Sequence, residues 1–248
     1  MSKILALAES GFGKTTSFIP TPRLGIKGLD PAITYIISVT SKDLPGLGTR
    51  KLYPIFTNFN LASKVTDLKP FRRLICANWD TRTDLIVHAI KLLAQVPTIK
   101  NIVLDDANYI MQDYYMAKSL TTGWDAPKKI GWMMGKIFDA MEKLPQEKTF
   151  IMLAHGEEYD KADGRQGYRF KTTGKATQTY ITPEGKFDVV IIGRSRYDDV
   201  EKKAIKEFVV EDDGTYSSAK SHGAFDTLYV PNDMGLIVEK VNAYYEGN

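Results

Sequence analysis

The chain has 248 residues, of which 43% are hydrophobic and 25% are charged, and its formal net charge is +3. A charge this small excludes a surface coated with nucleic-acid contacts, so any DNA-binding surface has to be local. The single cysteine, Cys76, excludes an internal disulfide and a cysteine-based metal cluster. No apolar run approaches the ~20 residues of a membrane span, and no signal peptide precedes the first motif, so we expect a cytoplasmic protein with no membrane partner.

The first twenty residues contain the most specific motif of the chain. An apolar run over residues 4–7 is followed by the letters AESGFGKT over residues 8–15. This is the spacing of the phosphate-binding loop G-x-x-x-x-G-K-[ST], with Ala8 where the first glycine usually stands. We predict a strand, the loop and a helix that opens at Lys14, whose N-terminal dipole favours an anion. The residues expected to bind a nucleotide are Ser10, Gly11, Phe12, Gly13, Lys14, Thr15 and Thr16.

The residue types in this loop suit triphosphate chemistry. Gly11 and Gly13 lack a Cβ atom, which lets backbone N–H groups approach phosphate oxygens closely. Lys14 is a point charge that can reach the β- and γ-phosphates, and Thr15 offers a hydroxyl to Mg²⁺. ATP and Mg²⁺ are therefore the expected cofactors. The alternative is a glycine-rich turn between a strand and a helix that binds nothing.

The next elements predict strands that alternate with helices. Apolar, β-branched residues predict a strand over 32–40, and a shorter strand follows over 72–78. Residues 41–70, with several prolines and glycines, are expected to be an irregular insertion that lies over the sheet. The helical spacing of apolar residues predicts helices over 84–95 and 128–144.

An apolar strand that ends in two acidic residues, Asp105 and Asp106, follows the first of these helices. Downstream of a phosphate loop, this is the pattern of a Walker B element. We expect Asp105 to hold Mg²⁺ opposite Thr15. Asp106, or Glu9 in the loop itself, is expected to orient the attacking water. The alternative is that one of the two aspartates caps the following segment.

A further strand over 149–154 ends at His155. Polar residues at the carboxyl ends of strands face the ligand crevice of an open α/β sheet, so His155 is a candidate γ-phosphate sensor. A structural histidine is the alternative.

Residues 159–186 are polar and glycine-rich, and their basic residues alternate with Tyr168 and Phe170. A basic, aromatic loop suits a single-stranded backbone and stacked bases. The alternative is a solvated hairpin. The candidate DNA-binding residues are Lys161, Arg165, Arg169, Lys171 and Lys175.

The order of these elements predicts the fold class. Strands alternate with helices and the phosphate loop follows the first strand, which predicts an α/β fold with a mostly parallel sheet flanked by helices. Strands over 187–193 and 205–210 predict an antiparallel C-terminal extension, and a last helix is expected over 234–245. We find no repeat, low-complexity tract or clear linker, so we expect one domain over residues 1–248.

This pattern resembles the RecA-like P-loop NTPase core, and it is most similar to the short phage-encoded ATPases of the AAA or Sak type. The resemblance is carried by Gly11-Phe12-Gly13-Lys14-Thr15, residues 102–106, the strand that ends at His155, Thr173-Gly174-Lys175, and Ala219-Lys220. It implies an ATPase that acts on single-stranded DNA in phage recombination or replication, in the host cytoplasm. It also implies a ring or filament with ATP at the interface between subunits, and a single-strand-binding protein as a further partner.

In that family a basic finger from the neighbouring subunit completes the site. Lys220 is the candidate for this catalytic role. The family often has Lys-x-Arg there, whereas Ser221 and His222 follow Lys220 in this chain, so Arg194 and Arg196 are alternatives.

Two other functions stay open from the sequence alone. A nucleotide or small-molecule kinase would share the phosphate loop, and it would need an arginine-rich lid and an acceptor pocket. A nucleotide-gated binding module with little turnover would account for the lack of a glutamate directly after Asp105.

Overall fold

A ten-stranded sheet is the central feature of the computed structural model, which describes residues 2–120, 125–161, 166–173 and 181–247. The strands in chain order are β1 Ser2–Ala8, β2 Thr34–Ser38, β3 Ile55–Phe56, β4 Arg73–Ile75, β5 Asn101–Asp105, β6 Thr149–Asp160, β7 Gln166–Phe170, β8 Val189–Asp198, β9 Lys203–Val209 and β10 Tyr229–Pro231. The α-helices of the described ranges are α1 Lys14–Phe18, α2 Thr49–Leu52, α3 Val65–Leu68, α4 Arg82–Leu93, α5 Asn108–Lys118, α6 Ala126–Glu142 and α7 Met234–Glu246. Among these helices, none combines the length and apolar character that a membrane crossing requires.

The strand order is β10-β9-β8-β1-β6-β5-β2-β4-β3, and β7 pairs with the far end of β6. From β8 to β3 every neighbouring pair is parallel, whereas β9 and β10 continue the sheet in antiparallel pairs. The predicted fold class is therefore confirmed: the chain has an α/β core with a mostly parallel sheet flanked by helices and an antiparallel C-terminal extension.

Helices cover the sheet on both faces, which explains why its central strands are apolar at nearly every position. Successive residues of β1 point to opposite faces. Leu5 and Leu7 pack into a core with α4, α5 and α6, whereas Ile4 and Ala6 pack into a second core with α1 and α7. Because β1, β6, β5 and β2 run parallel to one another, their carboxyl ends lie together at one edge of the sheet.

Two segments differ from the sequence expectation. Residues 41–70, predicted to be irregular, contain α2, β3 and α3, and β3 extends the sheet beyond β4. The strand predicted over 149–154 continues to Asp160 and pairs with β7 in an antiparallel hairpin. The described part of the basic segment is thus a hairpin, which was the alternative to an open loop.

Candidate nucleotide-binding site

The phosphate-binding loop connects the central strand β1 to α1. Gly11 has φ 81° and Gly13 has φ 101°, so both lie in the left-handed region that glycine adopts most easily. Ala8, where the motif usually has glycine, is the last residue of β1 and has extended backbone, so its methyl group is accommodated. Helix α1 begins at Lys14, directly after the loop.

A buried aromatic side chain fastens the loop to the sheet. Phe12 is 4% exposed, and its ring lies edge-to-face on Phe208 of β9 with centroids 5.2 Å apart. A Cβ atom at Gly193 of β8 would lie 2.5 Å from the Phe12 ring, so only glycine leaves room for this packing. Phe12 therefore anchors the loop by packing into the core, whereas the sequence predicted it only as a nucleotide-binding residue.

The Lys14 amine folds back over its own loop. Lys14 Nζ donates to the carbonyls of Ala8 and Glu9, each over 2.9 Å, and lies 3.2 Å from Nδ1 of His155. Burial lowers the pKa of Lys14 to about 8, although the nearby carboxylates of Asp106 and Asp105 oppose that shift. These contacts hold the amine at the carboxyl ends of the strands, where phosphate oxygens could replace the two carbonyls as its hydrogen-bond acceptors.

Thr15 and Asp105 are brought into direct contact. Thr15 Oγ1 donates to Asp105 over 3.1 Å to Oδ1 and 3.3 Å to Oδ2. Burial, and then the charge of Asp106, raise the pKa of Asp105 to about 7. A hydroxyl beside a buried carboxylate that lacks a full counter-charge is a donor set that fits Mg²⁺. Thr16, the next residue of α1, is half-buried.

Asp106 has an unusual backbone and two polar partners. Its φ is 64°, in the left-handed region that aspartate tolerates better than most residues. Thr40 Oγ1 donates to Asp106 Oδ2 over 3.0 Å, and Lys42 Nζ lies 3.6 Å from the same oxygen. Within the described residues no side chain caps the N-terminus of α5, so neither aspartate has the capping role that was the alternative.

His155 lies between the phosphate loop and the helix that follows Asp106. Its backbone N–H donates to the side-chain carbonyl of Asn108, and its ring lies edge-on to Tyr109 at 6.2 Å. Burial, and then the charge of Lys14, lower the pKa of the imidazole, which is therefore neutral at neutral pH. Lys14, Thr15, Asp105, Asp106 and His155 thus form one cluster.

The remaining catalytic candidates lie outside this cluster. Glu9 is exposed beside the loop. Lys220, expected on an exposed loop, is half-buried, and its backbone exchanges two hydrogen bonds of 2.9 Å with Val190 of β8. Both alternatives to Lys220 are ion-paired within the chain: Arg194 and Arg196 contact Glu207, and the Arg194 guanidinium also lies 3.5 Å from the Tyr229 ring centroid.

The DNA-binding candidates that the structure describes lie on or next to the β6–β7 hairpin. The Arg169 guanidinium is held by Glu157 over 3.1 Å, Lys161 is half-buried, and Lys171 is exposed. Arg165 and Lys175 lie outside the described residues. Tyr168 and Phe170, expected to stack on bases, are 5% and 0% exposed because they pack into the core.

Several polar residues of the site were not identified from the sequence. Thr40 and Lys42 follow β2, which pairs with β5 and ends at the same edge of the sheet. Arg73 of β4 is buried and donates to Ser38 over 2.9 Å, and its charge acts on Asp105. Lys206 of β9 donates to the Gly11 carbonyl over 2.6 Å. Polar residues just after β2 could have been noted, but Arg73 and Lys206 become neighbours of the site only through the strand order.

A comparison with known protein families finds no match, and no curated protein matches the chain. Among solved structures, the chain is similar to a KaiC-like protein from the hyperthermophilic archaeon Pyrococcus horikoshii OT3. The two share 12% sequence identity with a TM-score of 0.40, over 84% of this chain and 77% of that one. A likeness at this level does not define an activity, so the function has to be inferred from the residues of the chain itself.

Proposed function

We propose that the chain binds ATP with Mg²⁺ at the phosphate loop and hydrolyses it. The observation that carries this proposal is the contact between Thr15, directly after the loop lysine, and Asp105 at the end of β5. The left-handed glycines and the buried Lys14 amine support it further. A glycine-rich turn without a ligand would not require a carboxylate with a raised pKa beside that hydroxyl.

Each member of the cluster has a chemical role in this proposal. Lys14 exchanges its carbonyl partners for β- and γ-phosphate oxygens. Thr15 and Asp105 would hold Mg²⁺, which neutralises charge on the triphosphate when it is bound. Asp106 orients the attacking water, and the exposed Glu9 is the alternative. His155, next to Lys14, reports whether a γ-phosphate is present.

The proposed biological role is that of a phage Sak-type ATPase on single-stranded DNA. The DNA-binding part of this role is supported by a hydrogen-bonded connection between the site and the basic hairpin. The Asn108 side-chain amide, shortly after Asp106, donates to the Lys171 carbonyl over 2.6 Å, and the Lys171 N–H donates to the His155 carbonyl over 2.9 Å. Because Tyr168 and Phe170 are core residues, the hairpin would contact the DNA backbone through its basic side chains rather than by stacking.

The test of ATPase function is hydrolysis measured with and without single-stranded DNA. Replacing Lys14 by alanine removes the counter-charge of the phosphates, so turnover should fall by at least about 100-fold and ATP binding should weaken. Lys91→Ala, at an exposed position on α4, is the control. Unchanged turnover in Lys14→Ala would refute the assignment of the phosphate loop.

DNA binding is tested by the salt dependence of affinity. Replacing Lys161, Arg165, Arg169 and Lys171 by alanine should weaken binding and flatten the dependence of affinity on salt concentration. The control is a second set of four exposed lysines on other elements: Lys51, Lys69, Lys91 and Lys143. Equal losses in both variants would show that the hairpin has no special role.

The proposed ring or filament has Lys220 reaching the γ-phosphate of a neighbour. It requires the largest change from the structure, because the Lys220 backbone is hydrogen-bonded to Val190 of β8. Mixing Lys14→Ala with Lys220→Ala subunits should restore some hydrolysis, because an intact loop then meets an intact finger at some interfaces. A fully active Lys220→Ala protein would contradict it. A stimulating effect of a single-strand-binding protein can be measured in the same assay.

A kinase is the second candidate, favoured by a polar cavity of about 320 Å³ beside the phosphate loop. Its lining includes Glu9, Glu158, Arg194 and Tyr216. Phosphoryl transfer to an added nucleotide or nucleoside, faster than hydrolysis, would establish this function instead.

A further inference from the structure

A second lysine of the same chain lies at the candidate site. The sequence identified Lys14 and Mg²⁺ as counter-charges for the triphosphate and left any further cation to a neighbouring subunit. Lys42, in the segment after β2, has its Nζ 3.6 Å from Asp106 Oδ2 and 5.2 Å from the centroid of the Tyr109 ring. This cation belongs to the cluster without any assembly of subunits.

The backbone of Lys42 is anchored by hydrogen bonding, whereas its side chain is largely exposed. Ser38 of β2 pairs with Asp105 of β5, which brings the segment after β2 next to Asp106. The buried guanidinium of Arg73 donates to the Lys42 carbonyl over 2.5 Å. The Lys42 side chain itself is 67% exposed. A long, solvated side chain on an anchored backbone can change partners at little cost.

The charges around Lys42 favour its protonated form, and its positive charge acts on Lys14. Burial alone would lower the pKa of Lys42, but the charge of Asp106 and then that of Tyr109 raise it above its ordinary value. The positive charge of Lys42 in turn contributes to the lowered pKa of Lys14. The charge of Asp106 acts to raise the pKa of both lysines, so the two ammonium groups belong to one electrostatic site.

Asp106 needs a partner of this kind. Thr40 holds Oδ2 of Asp106, and Lys42 neutralises the same oxygen. A more strongly charged anion in the site, such as a γ-phosphate, would draw the exposed amine away from Asp106.

We propose that Lys42 is a catalytic cation supplied by the same chain, which pairs with Asp106 and transfers to the γ-phosphate when ATP binds. This inference rests on the proposed ATPase function. In the reaction the water oxygen bonds to the γ-phosphorus as the bond to the bridging oxygen breaks. The electron pair of that bond leaves with ADP, and the proton of the water passes to Asp106. Lys42 neutralises the negative charge on the transferring group, as a finger from a neighbour would.

The test compares binding of a non-hydrolysable ATP analogue with binding of ADP, using fluorescently labelled nucleotides and Mg²⁺. Lys42→Met keeps the length of the side chain and removes the charge. We expect it to weaken analogue binding about tenfold, to change ADP binding by less than about twofold, and to lower turnover by about 100-fold. Lys42→Arg should retain most of both properties, because it restores a cation.

The control is Lys51→Met, an exposed lysine on α2 whose surroundings include Pro31 and Ala32 at the opposite end of β2. It should behave as the parent protein does. If Lys42→Met has the same ratio of analogue to ADP affinity and the same turnover as the parent, the role of Lys42 is refuted while the ATPase function stands. A parent that neither binds nor hydrolyses ATP would refute both proposals.

Discussion

Thr15 Oγ1 donates a hydrogen bond of 3.1 Å to Oδ1 of Asp105, although the two residues are 90 positions apart in the chain. The contact exists because β1 and β5 run parallel on either side of β6, so that their carboxyl ends meet at one edge. It joins the first turn of α1 to the acidic end of β5. The two aspartates are separated by their partners: Asp105 contacts Thr15, whereas Asp106 contacts Thr40 and Lys42.

That separation predicts different defects for the two aspartates. Asp105→Asn should reduce the affinity for Mg²⁺ in the presence of ATP and lower Mg²⁺-dependent hydrolysis by at least about 100-fold. Asp106→Asn should bind ATP with Mg²⁺ as the parent does and lose turnover only. Titration of nucleotide binding with Mg²⁺, beside hydrolysis rates, distinguishes the two. If Asp106→Asn alone loses the Mg²⁺ dependence, the two roles are reversed.

The raised pKa of Asp105 predicts how the ligand-free protein responds to pH. Between about pH 4 and 7 the folded state keeps a proton on Asp105 that the unfolded chain has lost. The free energy of unfolding should therefore fall as pH rises through this window, by at most about 1.4 kcal/mol per pH unit, and level off above it. Lys14 has the opposite sign: its lowered pKa makes stability rise between about pH 8 and 10.5.

Urea denaturation of ligand-free protein at several pH values measures this slope. Asp105→Asn should flatten the fall below pH 7, because its amide does not titrate. Mg²⁺ binding with nucleotide should also release a proton below that pH and become tighter as pH rises. Equal slopes in the parent and in Asp105→Asn would contradict the assigned burial of this carboxyl.

Local signals in the sequence predicted the elements that carry the site, and long-range pairing determined the rest. The strand, loop and helix of the phosphate loop are contiguous, so their spacing alone defines them. Helix α5 was not predicted, because its buried residues, Asn108, Ile110 and Met111, all lie in the first turns of a largely polar segment. The hairpin depends on Tyr168, whose ring occupies the space where Gly156 would otherwise have a Cβ. Arg73 and Lys206 became neighbours of the site through the strand order, which a single sequence does not contain.

Gly193 should be intolerant of a methyl group. A Cβ atom there would lie 2.5 Å from the Phe12 ring and 2.7 Å from the Ala8 Cβ, both parts of the phosphate loop or its strand. Gly193→Ala should cost about 1–3 kcal/mol of unfolding free energy and weaken nucleotide binding, because Phe12 has to move. Denaturant unfolding and a nucleotide titration check both effects.

The control is a second glycine replaced in the same way. Gly135 lies in α6, and apart from its two chain neighbours and the adjacent backbone of the helix, no atom of the described residues lies within 4 Å of an added Cβ. Gly135→Ala should stabilise the protein by about 0.5–1 kcal/mol through helix propensity and leave nucleotide binding unchanged. Destabilisation by both substitutions would indicate that the Gly193 effect is not specific to the loop.

Two lysines on one strand provide the last prediction. Lys206 of β9 donates to the Gly11 carbonyl over 2.6 Å and lies on the same face as Phe208, which packs on Phe12. Lys203 is an odd number of residues away and so faces the other side of the strand, where it lies 3.5 Å from Glu201.

Lys206→Met removes both a restraint on the loop and a positive charge beside the expected anion. Nucleotide affinity should therefore fall about three- to tenfold, with a weaker dependence on salt concentration. Lys203→Met should leave affinity unchanged, and both variants should keep their unfolding free energy within about 0.5 kcal/mol, since both positions are exposed. Equal nucleotide affinities for the two variants would show that the Lys206 contact does not order the loop.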